Sequence, residues 1–173
     1  AGDSNDEDGS FVLADDGAIH FAWISNRAGS TDVWMTTSKD GITWSEPRPA
    51  VQTPTDDLMN NLVRTKDGLY HLTGRHGTWF LGLFATYDST STDLIHWTKP
   101  VRWTENGSAG YFQEAPKGDY WLMTLSRRSG NYDLYLRHSR DKGKTWSDPV
   151  ALTRDPLDDF LFGFRIARDG TFL

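Results

Sequence analysis

Ser139-Arg140-Asp141-Lys142-Gly143-Lys144-Thr145-Trp146 is the fullest of three related stretches that decide how this chain folds. The others are Ser38-Lys39-Asp40-Gly41-Ile42-Thr43-Trp44 and Ser91-Thr92-Asp93-Leu94-Ile95-His96-Trp97. All three share Ser-x-Asp followed by Trp, and all continue into Ser/Thr-x-Pro at Pro47, Pro100 and Pro149. Their tryptophans are 53 and 49 residues apart. A second marker keeps the same period: the glycines of Asp16-Gly17, Asp67-Gly68, Lys117-Gly118 and Asp169-Gly170 are spaced 51, 50 and 52 residues. A third is the acidic pair Asp56-Asp57, which returns as Asp158-Asp159. Three independent markers with one period identify a repeat protein.

Within the first unit, runs with alternating polarity fall between turn-forming residues. The pattern predicts strands over Ser10–Asp15, Ala18–Ser25, Thr31–Thr37 and Thr43–Val51. The breaks are Asp-Asp-Gly, Arg27-Ala28-Gly29 and Lys39-Asp40-Gly41, all tolerant of positive φ. No window gives an amphipathic helix. Four short strands in about 50 residues match a β-propeller blade rather than a helical solenoid. The expectation is an all-β chain forming a partial β-propeller, with four-stranded antiparallel blades. Their approximate extents are 5–57, 58–107 and 108–159, with an incomplete fourth unit at 160–173, making one segment of about three and a half blades. Closed propellers carry about 4 to 8 blades, so the expected partners include the remaining blades of a longer chain or a second copy.

Composition narrows the function. The 173 residues carry 24 acidic and 18 basic side chains, a net charge of −6, and no cysteine. Disulfide frameworks, thiol chemistry and cysteine-bound zinc are therefore excluded. An acidic chain without a basic run lacks the clustered positive field that nucleic acid requires, and no apolar stretch is long enough to insert in a membrane as a helix. The five histidines show no metal-ligand spacing, and no phosphate loop, dinucleotide fingerprint or Gly-x-Ser-x-Gly elbow occurs. Neither a metal nor a cofactor is expected.

The three Ser-x-Asp…Trp stretches resemble the Asp-box, or bacterial-neuraminidase-repeat, family of sialidase-like propellers. In that family the box is a structural turn between the third and fourth strands. Residue chemistry agrees, because a short carboxylate in a tight turn accepts backbone N–H groups. The resemblance implies a glycan-recognising segment with an extracellular or periplasmic location. Two alternatives stay open: part of an active exo-sialidase or related glycoside hydrolase, and a structural or protein-binding propeller of a surface protein.

In an up-and-down blade, the second turn and the blade-to-blade link lie at the end opposite the Asp boxes. That end is expected to gather Arg27, Arg75 and Arg128 with Asp56, Asp57, Asp158 and Asp159. Arginine forks match a carboxylated sugar, so these residues are the candidate ligand contacts. Against this, Arg27 and Arg128 have Asp32 and Asp133 five residues on, and a local cross-strand pair is the preferred reading for both. In the middle unit Phe80 replaces that aspartate, which singles out Arg75. Phe164-Arg165-Ile166-Ala167 looks like the family's Phe/Tyr-Arg-Ile-Pro stretch, with alanine in place of proline, and adds Arg165. Sialidases combine three arginines with an Asp acid/base and a Tyr/Glu pair. Tyr87, Tyr111 and Tyr132 are all available, and nothing in the sequence chooses among them.

Overall fold

The computed structural model describes residues 4–76, 85–105, 108–160 and 163–173. Twelve strands form three antiparallel sheets of four, each in simple chain order. The first holds β1 (Asp6–Leu13), β2 (Ile19–Ser25), β3 (Asp32–Ser38) and β4 (Arg48–Val51). The second holds β5 (Asp57–Arg64), β6 (Tyr70–His76), β7 (Ala85–Ser91) and β8 (Val101–Thr104). The third holds β9 (Ser108–Glu114), β10 (Tyr120–Ser126), β11 (Asp133–Ser139) and β12 (Val150–Ala151). The first strands β1, β5 and β9 pack side by side, so the sheets radiate from a common axis as blades of a partial β-propeller. After the third blade comes a short hairpin, in which Ile166 bridges Phe172 and Arg165 exchanges backbone bonds of 3.0 and 2.8 Å with Leu173.

The three Asp-Gly turns and Lys117-Gly118 share one geometry. Gly17, Gly68, Gly118 and Gly170 have φ between 82° and 93°. Each donates its N–H to the carbonyl three residues back, at 2.9 to 3.0 Å. A side chain at that φ is strained, which is why glycine recurs there.

Two differences from the expected strands have clear causes. The fourth strand of the first blade begins at Arg48 rather than Thr43. Thr43 to Pro47 are held instead in a turn, with the Ser45 N–H on the Thr37 carbonyl at 2.9 Å, and Pro47 has no N–H for a ladder. The first strand begins at Asp6 rather than Ser10. It carries a bulge between Glu7 and Ser10, and Asp8 there adopts φ 49°. An acidic run with a left-handed residue does not read as strand, yet bulges of this kind re-aim side chains.

Blades are joined by alternate faces. Ala22, Ile24, Val33 and Met35 of the first pack on Leu62, Tyr70 and Leu72 of the second. Phe112, Tyr120 and Leu122 of the third pack on Val63 and Trp103 of the second. At the Asp-Gly end, polar ties span the same junctions. The Arg64 guanidinium grips Asp15 at 2.7 and 2.8 Å, and Lys142 pairs with Asp67.

The three Ser-x-Asp turns are closed by their own side chains. Asp40 Oδ1 accepts the N–H groups of Ile42 and Thr43 at 2.8 and 2.7 Å, Asp93 Oδ1 those of Ile95 and His96 at 2.8 Å, and Asp141 Oδ1 that of Thr145 at 2.8 Å. These bonds favour the ionised form. The Asp40 carboxyl is held at about 2, chiefly by the Thr43 and Ile42 N–H groups, and Asp141 at about 2, chiefly by the Thr145 hydroxyl and N–H. A carboxyl depressed in the fold stabilises it above its unfolded value of about 3.9, and that contribution disappears as pH falls through the folded value. We expect carbon NMR titration to give midpoints near 2 for both groups, with stability falling between about pH 4 and pH 2. Asp141→Ala should flatten that decline, and an ordinary midpoint for Asp141 would refute the account.

Candidate functional site at the propeller axis

Ser10, Asn61, Tyr111 and Gly163 each lie seven residues before a turn glycine, so they occupy one register position on the four successive inner segments. The first two are spent on architecture. Ser10 Oγ accepts the N–H of Leu62 at 3.1 Å. Asn61 donates to the Phe112 carbonyl at 2.9 Å and accepts its N–H at 3.3 Å. Thr73 completes the group, its single hydroxyl proton within reach of Asn61 Oδ1 and of the Gly110 carbonyl at 2.8 Å. Tyr111 breaks the pattern. Its ring lies beside Gly163, where an added Cβ would be 3.6 Å from ring carbons Cδ1 and Cε1.

These four residues, with Asp8, Gly9, Phe164, Arg165 and Leu173, line a cavity of about 410 Å³ at the axis. The bulge in β1 is what brings Asp8 to its wall. Arg75 stands close enough to act electrostatically on both Asp8 and Tyr111. Burial pushes the Arg75 guanidinium below its usual value, while Asp8, Tyr132 and Tyr111 pull the other way. Burial also raises the Tyr111 phenol, Asp8 raises it further, and Arg75 opposes both. One carboxylate, one guanidinium and one phenol, from Asp8, Arg165 and Tyr111, thus line one cavity, and Arg75 acts on it electrostatically from outside the lining.

Of the sequence candidates, Arg165 lines this cavity and Arg75, in β6, stands outside the lining. Arg27 is held elsewhere. Its guanidinium grips Asp6 at 2.9 and 3.2 Å and lies over the rings of Trp23 and Trp34, 5.2 and 5.0 Å from their centroids. The expected Arg27–Asp32 pair does not form, because Asp32 is buried and taken by Gln52 Nε2 at 3.0 Å and the Ser30 hydroxyl. Nor does Arg128 pair with Asp133, whose carboxylate accepts the Ser129 hydroxyl. Arg128 is exposed and repels Arg137, while its neighbour Arg127 stacks on Tyr132 at 4.2 Å and faces Asp158 at 3.9 Å. A cross-strand rule pairs residues by separation alone, whereas here the inward-facing aspartates are sealed by short polar side chains. Phe80 lies outside the described residues.

The acidic doublets fasten each link to the blade before it. Asp56 Oδ1 accepts the Thr31 N–H at 3.2 Å, and Asp158 Oδ1 the Tyr132 N–H at 2.8 Å. In both copies the next N–H, of Asp57 or Asp159, reaches the same hairpin's carbonyl at 2.7 Å. Asp57 is buried and accepts the Thr53 N–H and hydroxyl at 2.6 and 2.8 Å. None of the four lines the axial cavity. Among the described residues no cluster of His, Asp or Glu could hold a metal ion.

Sequence reasoning missed Asp8 and had no ground for preferring Tyr111. The register supplies Tyr111, which counting back from the turn glycines puts level with Ser10, whereas Asp8, two residues before Ser10, is brought in by the bulge.

No family model matches the sequence, and no curated protein matches it. Solved structures do. A protein of unknown function from Dyadobacter fermentans superimposes with a TM-score of 0.69 at 20% identity, over 88% of this chain and 56% of that one. The GH93 α-L-arabinofuranosidase of Fusarium graminearum, solved with arabinobiose, gives 0.69 at 17% over 87% and 49%. A Hadza microbial sialidase gives 0.64 at 18% over 83% and 33%. The chain thus spans about half the length, or less, of the structures it resembles. Identities at this level carry the fold, which is a propeller, and leave the chemistry to the residues present.

Proposed function

We propose that this chain is the glycan-recognising part of a sialidase-like propeller of the Asp-box kind, acting outside the cytoplasm and holding a carboxylated sugar in the axial cavity. The observation that carries the reading is that Arg165, Asp8 and Tyr111 line that cavity together, with Arg75 near enough to act electrostatically on Tyr111. Guanidinium forks match a carboxylate, and a phenol ring offers a sugar an apolar face. Propeller glycosidases among the structural neighbours support a carbohydrate ligand.

A second reading, that these residues also catalyse glycoside hydrolysis, draws on the carboxylate and phenol sharing one wall. The phenol of Tyr111 is held above its usual value, so it would attack a sugar only with a base to take its proton, and Asp8 is the carboxylate that acts on it. Recognition needs no such transfer and is the preferred reading. Phe11 and Leu13 project from the first blade as exposed apolar side chains. In the complete molecule another blade covers them, supplied by a longer chain or a second copy.

N-acetylneuraminic acid is the probe. We expect it to shift the backbone amide signals of Gly163 and Arg165, and we expect Arg165→Ala to weaken binding by about tenfold or more, the loss of one charge-assisted contact. Equal binding of an uncharged hexose, or an unaffected Arg165→Ala variant, would overturn the reading. A fluorogenic sialoside separates the alternatives: turnover abolished by Asp8→Asn selects catalysis.

A further inference from the structure

The junctions between blades differ at one equivalent pair of positions. Register aligns β8 with β4: Val101 lies opposite Asp88 as Arg48 lies opposite Met35, and Thr104 opposite Thr86 as Val51 lies opposite Val33. Trp103 therefore corresponds to Ala50. Between the second and third blades, Trp103 fills the junction and meets the motif tryptophan Trp146, with ring centroids 5.0 Å apart. Its indole also lies so close to Gly143 that an added Cβ would be 3.0 Å away. Between the first and second blades, Ala50 stands where the indole was, and the motif tryptophan there is Trp97. Buried Leu94, in the place of Gly143, takes back part of the space. The rest remains open as a groove of about 540 Å³ whose walls include Ala50, Gln52, Pro54, Tyr87, Trp97 and Lys99.

We propose that this groove is a second saccharide site, separate from the axial one, that takes an acidic sugar ring against Trp97. Shape comes from the neighbouring junction, where a ring of similar size packs at a tilt of 51° against the equivalent tryptophan. A pyranose presents a similar flat C–H face, and ligand sites are commonly apolar clefts of about 300–1,000 Å³ with a few fixed polar groups. The Gln52 amide is fixed by its bond to Asp32, and the Trp97 indole by its 3.2 Å bond to the Leu94 carbonyl. Charge comes from Lys99, which among the described residues of the lining is the one ionisable cation and faces no carboxylate there. An anion on the ring complements it. The axial reading is not required, since no residue is shared between the two linings.

Digalacturonate, galactobiose and indole-3-acetate are the probes, read by the indole N–H signal of Trp97. Digalacturonate is expected to shift that signal, with affinity falling as salt rises. Lys99→Gln should weaken binding several-fold. Ala50→Phe should block it while thermal unfolding stays cooperative, and that variant excludes misfolding as the cause. Arg165→Ala should leave it unchanged, so failure of the axial site and failure of this one are distinguishable. No shift at about 10 mM, a range that would detect millimolar affinity, overturns the proposal. So does equal binding of galactobiose, which denies the role of charge. A response to indole-3-acetate alone overturns it as well, since the groove would then accept an aromatic side chain and not a sugar.

Discussion

Phe112→Ala is expected to cost about 3–5 kcal/mol, the range for emptying a buried aromatic site, whereas Phe11→Ala should cost under about 0.5 kcal/mol, as exposed positions do. The two phenylalanines hold the same register position, six residues before a turn glycine. Phe112 is 0% exposed, because the second blade covers its face of the sheet. Its ring meets Tyr120 at 4.7 Å, His71 at 5.0 Å and Trp103 at 5.2 Å. Phe11 is 68% exposed because no described residue covers the corresponding face of the first blade. The same residue in the same local structure should thus give two outcomes, decided by the neighbouring sheet. Denaturant unfolding of both variants is the measurement. Equal losses would mean that the blades are stable singly and that junction packing contributes little.

Asp88→Leu is expected to cost a similar amount, about 3–5 kcal/mol, because it leaves one member of a buried pair without the other. His71 Nδ1 and Asp88 Oδ2 are 2.9 Å apart, with the two side chains only 3% and 5% exposed. The rings of Trp103, Phe112 and Tyr120 surround the histidine at 5.0 to 5.9 Å. The corresponding residues in the other blades are Met35 and Leu136, as the strand pairings show. The Asp88 carboxylate therefore sits where the repeat otherwise places an apolar side chain. Exchanging both members for apolar residues of similar size should cost much less than the sum of the single changes.

The pH dependence has a definite sign. Burial raises the Asp88 carboxyl, against the pull of its bond to His71. A carboxyl raised in the fold contributes fully below its unfolded value of about 3.9, and that contribution is lost as pH rises through the folded value. Asp88→Asn should remove that alkaline-side loss. Unfolding curves of the wild type and Asp88→Asn across pH test this, and parallel profiles would sink it.

The fold was legible because its punctuation is local. A glycine at positive φ and a carboxylate closing its own turn depend on residues a few positions apart, so Gly68 or Asp141 announces its role in sequence. The axial site depends on distance in space. Asp8 reaches the cavity only through a bulge in an acidic segment that reads as a loop, and Arg27 finds Asp6 across 21 residues rather than Asp32 close at hand. Tyr111 stands out only when the inner strands are laid level with one another. Of the arginines that the sequence singles out, Arg165 lines the cavity because the short hairpin after the third blade places it there, whereas Arg75, near the end of β6, stands outside the lining.

Ser10 and Asn61 act as rivets, each fixing its own strand to the backbone of the next. A rivet cannot be exchanged freely, since losing it loosens two blades at once. Tyr111 occupies the same station without that duty toward a following strand, its ring lying against a glycine. Variation can therefore enter at position 111 while the frame stays fastened.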